Sequence, residues 1–430
     1  MLSFEPSIIF VDDKEEQVNG IVQLYRNEGI GVKFYNADLT NGDNKPENRY
    51  SNINLIYLDL YYKEDFDIDL CLGWVDSIIS ENSFYILVIW SKDTQHTSEI
   101  VDGLKGLNKK PFTTFSETKN DDYKNPDNSF KWEDLKAKID LEIATIPQLE
   151  ELAIWKKSIL YSSNSIIGHL TKGIESEALK KKLQKIILGH GGSYLKGSDK
   201  EIEKRETLFD ALDSILVSNS KITRPNQKIS EENKTSLYNI PSFPQGDIDA
   251  KLNSWFHFNL QPISSEQVLP GLICTYQNDS LKTNYNIQDD ETIKKYLGFQ
   301  IENMDVDENP TQLIDIALVI SRPCDIAQNK FGRNLKLLSG LLIVNPIRKK
   351  NQIKGKIRTP LSLKIFEHLH FSSIEKDCTL IFDFRYSFSL PPSIFHERFE
   401  KIKLFNKELL SEIQVEYSSY SSRLGITQII

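Results

Sequence analysis

Three carboxylates and a hydroxyl carry the first chemistry this sequence suggests. Asp12 and Asp13 close the apolar run SIIFVDD at 7–13, Asp59 ends the core of NLIYLDLYY at 54–62, and Ser91 closes FYILVIWS at 84–91. If these runs are parallel strands, their carboxyl ends lie on one sheet edge, where open α/β sheets bind ligands. Residues 46 and 32 positions apart are then brought together. Three converging carboxylates repel one another, and a divalent cation removes the conflict. Oxygen ligands with room for water suit Mg²⁺, which makes Asp12, Asp13 and Asp59 candidate ligands. Such a cation neutralises an incoming phosphoryl group, so in-line transfer to a carboxylate oxygen of Asp59 becomes feasible. Ser91 can hydrogen-bond one phosphoryl oxygen, and a lysine is needed for another. The plainer alternative is that Asp12 and Asp13 cap a helix and Asp59 sits in a turn.

The elements that would position these residues alternate. Apolar runs at 7–13, 31–38, 54–62 and 84–91 read as buried strands. Between them lie stretches of helical spacing, and in DLCLGWVDSIISEN the residues Leu70, Trp74, Ile78 and Ile79 fall on one face. Buried strands alternating with amphipathic helices predict a parallel sheet covered on both faces. Residues 131–220 are helical in pattern, 221–250 are polar and rich in Asn, Ser and Pro, and 251–430 are dominated by short β-type runs. The expected organisation is a first domain over 1–130, a helical connector, a linker, and a β-rich α+β domain that ends in a helical stretch at 394–418.

The spacing of the acidic residues resembles the response-regulator receiver family of two-component signalling, over roughly residues 5–122. That family carries an acidic pair after its first strand, a phospho-acceptor Asp after its third, Ser or Thr after its fourth and Lys after its fifth. Asp12/Asp13, Asp59 and Ser91 match the first three. Lys110-Pro111 is one candidate for the lysine, but GLKGLNK before it is not a buried strand. PFTTFSETK is a better fifth strand; it places Lys119 at its carboxyl end and leaves 93–110 for a helix. The resemblance implies a doubly wound five-stranded flavodoxin-like sheet, Mg²⁺ as cofactor and a histidine kinase as phosphodonor. The stretch KEDFDID at 63–69 is unusually acidic for the loop after the acceptor.

The later sequence is less informative. DIALVISRPCDIAQNK at 315–330 resembles a Ser/Thr-x-x-Cys-Asp-Ile signature of unassigned bacterial proteins, some from defence-type loci; the tail with Arg423 and Gly425 resembles theirs too. Arg322 beside Cys324 and Asp325 could favour a reactive thiolate. A buried structural cysteine, with Asp325 capping a helix, is the simpler reading. His368 and His370 would share a face of a strand and could bind metal, but lone surface histidines are the simpler reading; His396 lies further on. The basic run RKKNQIKGKIR at 348–358 reads as a solvated hairpin tip or a grip on phosphates. The strand pattern opened by Pro270-Gly271 resembles the small barrels of bacterial toxin ribonucleases, an analogy of fold that carries no function.

Composition narrows the functional classes. Across 430 residues, 61 acidic against 52 basic side chains give a net charge of -9, which repels nucleic acid and anionic membranes on average. No apolar run approaches the roughly 20 residues needed to span a bilayer, and the acidic N-terminal stretch is not a secretory signal. Cys71, Cys274, Cys324 and Cys378 are widely spaced, which fits a reducing cytoplasm. The expectation is a cytoplasmic signalling protein, phosphorylated on Asp59 and not itself an enzyme. It would act as a switch or a phosphate sink, with a second regulator or effector as a further partner, and could pair with a second copy through its helices. The alternative is an effector enzyme, such as a toxin-like nuclease or other hydrolase, active in the C-terminal domain and controlled by the receiver.

Overall fold

The computed structural model describes residues 5–62, 66–127, 129–196, 199–222, 229–241, 248–259, 263, 268–276, 312–321, 334–345, 361–371 and 374–422. The chain divides into two compact units, Met1–Ile154 with Lys228–Tyr238, and Trp155–Gln227 with Asn239–Ile430.

The first unit is built on a parallel sheet of five strands: β1 (Ile8–Asp12), β2 (Val32–Asn36), β3 (Leu55–Leu58), β4 (Ile86–Ser91) and β5 (Thr113–Thr118), in the order β2-β1-β3-β4-β5. Every residue of β1, β3 and β4 is buried, as their unbroken apolar sequences require of strands covered on both faces. The edge strands β2 and β5 are more polar and only partly buried. One face packs α2 (Ile68–Ile78) and α3 (Thr97–Gly106) through Cys71, Trp74, Val75, Ile100 and Leu104. The other packs α1 (Asn19–Asn27) and α4 (Trp132–Ala144) through Ile21, Val22, Leu135 and Ile139. The sheet is therefore doubly wound.

Three details differ from the sequence reading. The helix α4, assigned to the connector, belongs to this sheet: Leu135 and Ile139 are at most 1% exposed within its core. Truncating either to Ala would cost about 2–5 kcal/mol. Its first residue, Trp132, lies so close to α1 that a Cβ on Gly20 would meet the indole at 1.9 Å. The polar stretch at 221–250 also contributes structure. The short helix α8 (Glu231–Thr235) buries Asn233, whose amide donates to the carbonyl of Pro147 and to Glu150. Between β2 and β3 the chain runs in turns, held by Asp38 Oδ1 accepting from the backbone N–H of Thr40 and Asn41.

The second unit opens with α6 (Ser176–Gly191), α7 (Glu201–Ile222) and α9 (Ala250–His257), while α5 (Gln148–Thr171) spans the division. Its antiparallel sheet comprises β6 (Leu272–Tyr276), β7 (Gln312–Val319), β8 (Leu335–Val344), β9 (Leu363–Phe371), β10 (Ile374–Leu390) and β11 (Phe399–Leu404), in the order β11-β6-β7-β8-β10-β9. This linear order leaves β11 and β9 as edges among the described residues. The predicted terminal helix over 394–418 is two helices, α10 (Pro392–Arg398) and α11 (Lys407–Ser421), with β11 between them. In KIKL apolar and charged residues alternate with the period of a strand, and β11 pairs with β6.

Candidate functional site

The carboxyl ends of β1, β3, β4 and β5 meet at one edge. Asp12 ends β1 and is 1% exposed; Asp59 follows β3 and is 5% exposed; Ser91 ends β4 and is fully buried. Lys119 follows β5, and its backbone N–H donates to the Ser91 carbonyl at 2.8 Å, which continues the β4–β5 ladder and aims the side chain across the strand ends. The lysine that reaches the carboxylates is therefore Lys119, as the strand argument required. Lys110 is exposed, and its neighbour Lys109 is buried against Asp76 of α2.

The ammonium of Lys119 donates to Asp12 Oδ2 at 2.7 Å, Asp59 Oδ2 at 2.7 Å and Gln17 Oε1 at 2.8 Å. An ammonium has three protons, so these bonds use all of them. Asp59 Oδ1 accepts from Ser91 Oγ at 2.5 Å and from the backbone N–H of Leu60 at 2.7 Å and Tyr61 at 3.3 Å. Asp12 Oδ1 accepts from the backbone N–H of Lys14 at 2.9 Å. Asp13 stands partly exposed beside them, and one oxygen from each of Asp12, Asp13 and Asp59 lies within 4.8 Å of the others.

Charge makes this group unusual. Asp12 and Asp59, both buried, share the Lys119 ammonium, which leaves a formal surplus of negative charge between the three side chains. Burial raises the Asp12 carboxyl from 3.8 to about 7, with Asp59 adding to the rise and Lys119 opposing it. Burial alone would lower the Lys119 ammonium, but the charges and hydrogen bonds of Asp12 and Asp59 outweigh it and raise it. A hard divalent cation fits such an all-oxygen donor set, and Asp12, Asp13 and Asp59 are the residues that can hold it.

Sequence reading missed Gln17, in the short 3-10 turn Glu15–Gln17 after β1. No motif marks it, and only the path of the chain brings its amide to Lys119. Beneath the site the Cys71 thiol donates weakly to the Leu60 carbonyl at 3.6 Å, and burial raises it to about 12, so it serves as packing. The acidic loop has a local use: Asp67 caps α2 by accepting from the Leu70 N–H. Residues 63–65 of that stretch lie outside the described residues.

In the second unit, Arg322, Cys324, Asp325, the basic run at 348–358 and the tail with Arg423 and Gly425 lie outside the described residues. His368 sits at positive φ, where β9 carries one extra residue against β10, and its Nδ1 lies 3.3 Å from Asp377. The backbone N–H of His370 donates to Ser254, and His396 is exposed on α10. Among the described residues these histidines join no group of three metal-ligating side chains.

No family model and no curated protein matches the chain. Among solved structures it is similar to an adenylate cyclase from Rhodopirellula baltica. That likeness has 17% identity and a TM-score of 0.19, and it covers 34% of this chain and 95% of the other. No helix among the described residues is long and apolar enough to cross a membrane.

Proposed function

We propose that the N-terminal domain is a phospho-acceptor receiver of the two-component type, with Asp59 taking a phosphoryl group from the phosphohistidine of a partner kinase. The observation that carries this reading is the placement of Asp12, Asp13, Asp59, Ser91 and Lys119 at one sheet edge, with Ser91 and Lys119 each bonded to a different oxygen of Asp59. In the transfer an Asp59 oxygen forms a bond to phosphorus as the phosphorus–nitrogen bond breaks. The bonding pair leaves with the imidazole nitrogen, which takes up a proton. Mg²⁺, held by Asp12, Asp13 and Asp59, supplies charge neutralisation for the carboxylates and the phosphoryl oxygens.

The chain's own groups then redistribute. A phosphoryl group on either Asp59 oxygen displaces the bond from Ser91 or from Lys119. The displaced donor turns to a phosphoryl oxygen instead, a shift in bonding at the end of β4 and beyond β5. Such a shift can bias a two-state element elsewhere, or it can serve only to store phosphate. Exposed apolar residues on α5, including Trp155, Leu160 and Ile167, support pairing of the helical segment with a second copy or an effector. In this role the chain is a cytoplasmic signalling component that performs no further catalysis. The test is incubation with Mg²⁺ and acetyl phosphate followed by intact mass. The wild type should gain one phosphoryl group and Asp59→Ala none; equal labelling of both would refute the assignment.

A further inference from the structure

Gln17 occupies a place that the phospho-acceptor reading leaves without a role. Of the three acceptors around the Lys119 ammonium, Asp12 and Asp59 are both committed to other partners once the site is loaded. A cation on their oxygens repels the ammonium, and a phosphoryl group on Asp59 changes the oxygens Lys119 can meet. Gln17 Oε1, 2.8 Å from Lys119 Nζ, is neutral and belongs to neither the metal nor the phosphoryl group. It is the acceptor that can remain bonded in both states.

The backbone of the same residue points to a second connection. The Gln17 carbonyl accepts from the indole N–H of Trp90 at 3.3 Å. Trp90 is 1% exposed and packs edge-on against Tyr123 at 5.5 Å, Phe130 at 5.6 Å and Trp132 at 6.0 Å between ring centroids. Trp132 opens α4 and presses on Gly20 of α1. One residue thus touches the site lysine with its side chain and an aromatic cluster at the start of α4 with its main chain.

We infer that Gln17 is a positioning residue for the phosphorylated state: it anchors the Lys119 ammonium as metal and phosphoryl group enter, and passes the rearrangement to Trp90 and α4. This rests on the phospho-acceptor reading. The anchor is one hydrogen bond to a charged group, whose loss weakens the loaded state by about tenfold or more. The side-chain acceptor is the working part, so a glutamate should replace it and a methionine of similar shape should not.

The experiment titrates the full chain with beryllofluoride in excess Mg²⁺ and follows tryptophan fluorescence, for wild type, Gln17→Met and Gln17→Glu. Melting temperatures of the three unloaded proteins show whether each is folded. The expected result is a saturable change in the wild type. In Gln17→Met its midpoint moves at least tenfold higher and its amplitude falls, and in Gln17→Glu the midpoint stays near or below that of the wild type. A wild-type response that Gln17→Met reproduces would overturn the positioning role alone. Equal weakening in Gln17→Met and Gln17→Glu would also overturn it, since the acceptor would then not matter. Absence of any wild-type response would overturn the link from Gln17 to Trp90 and α4, and the proposal with it, whereas the phospho-acceptor reading fails only if the intact-mass test shows no Asp59-dependent labelling.

Discussion

Lowering the pH should weaken Mg²⁺ binding well above the range in which ordinary aspartates titrate. Burial lifts the Asp12 carboxyl from 3.8 to about 7, and a carboxylate must be deprotonated to hold a metal. With that value, about nine tenths of Asp12 is ionised at pH 8 and about one tenth at pH 6, so apparent affinity should fall by about tenfold between them. The sign for stability follows from the same shift. A folded-state value above the unfolded one means that folding favours the protonated acid, so metal-free stability declines as the pH rises from 3.8 towards about 7. The decline is at most on the order of 4 kcal/mol, from about three units at 1.36 kcal/mol each. Mg²⁺ restores what the ionised group lost, so it should raise the melting temperature more at pH 8 than at pH 6. Calorimetric titration at pH 6, 7 and 8, in two buffers of different protonation enthalpy, measures the affinity and the protons released. An affinity constant across that range, with no proton release at pH 7, would refute the electrostatic account of Asp12.

Three further outcomes follow from the same geometry. Asp13→Ala removes one of the three metal oxygens and should bind Mg²⁺ more weakly by calorimetry, whereas wild-type affinity would place the metal elsewhere. Lys119→Ala should still accept phosphate but lose the conformational response to it, and Lys110→Ala, which alters an exposed side chain, should behave as wild type in both assays; the reverse pattern would contradict the geometry of the β5 terminus. Hydrogen exchange with and without beryllofluoride should change protection within 132–216 as well as around Asp59, and changes confined to the Asp59 and Ser91 loops would indicate a phosphate store instead of a switch.

The site was legible in sequence wherever it hung on strand ends. The runs before Asp12, Asp59 and Ser91 are short, uniformly apolar and alternate with amphipathic helices, the pattern of parallel strands buried on both faces, and their termini follow. Lys119 is legible because GLKGLNK lacks the apolar pattern of a buried strand, which leaves PFTTFSETK as the fifth strand. Gln17 escaped because its role depends on a 3-10 turn after β1 that brings its amide to Lys119, which no periodicity encodes. The helix α4 was misassigned for a similar reason. Its sequence reads as helix either way, and whether Leu135 and Ile139 face the sheet or another helix is a tertiary fact. In the second unit, strand β11 was hidden between two helical segments because a short strand such as KIKL has too few residues to outweigh its flanks.

The central claim is that Asp59, and no other carboxylate of the cluster, carries the phosphoryl group. Asp12 and Asp13 lie close enough to be rivals, with oxygens within 4.8 Å of one another and of Asp59. The direct measurement is to phosphorylate the full chain with acetyl phosphate and Mg²⁺, reduce the acyl phosphate with borohydride, and locate the resulting homoserine by peptide mass. Homoserine should appear at position 59 alone. Homoserine at position 12 or 13, or none in a chain that has gained phosphate, would contradict it.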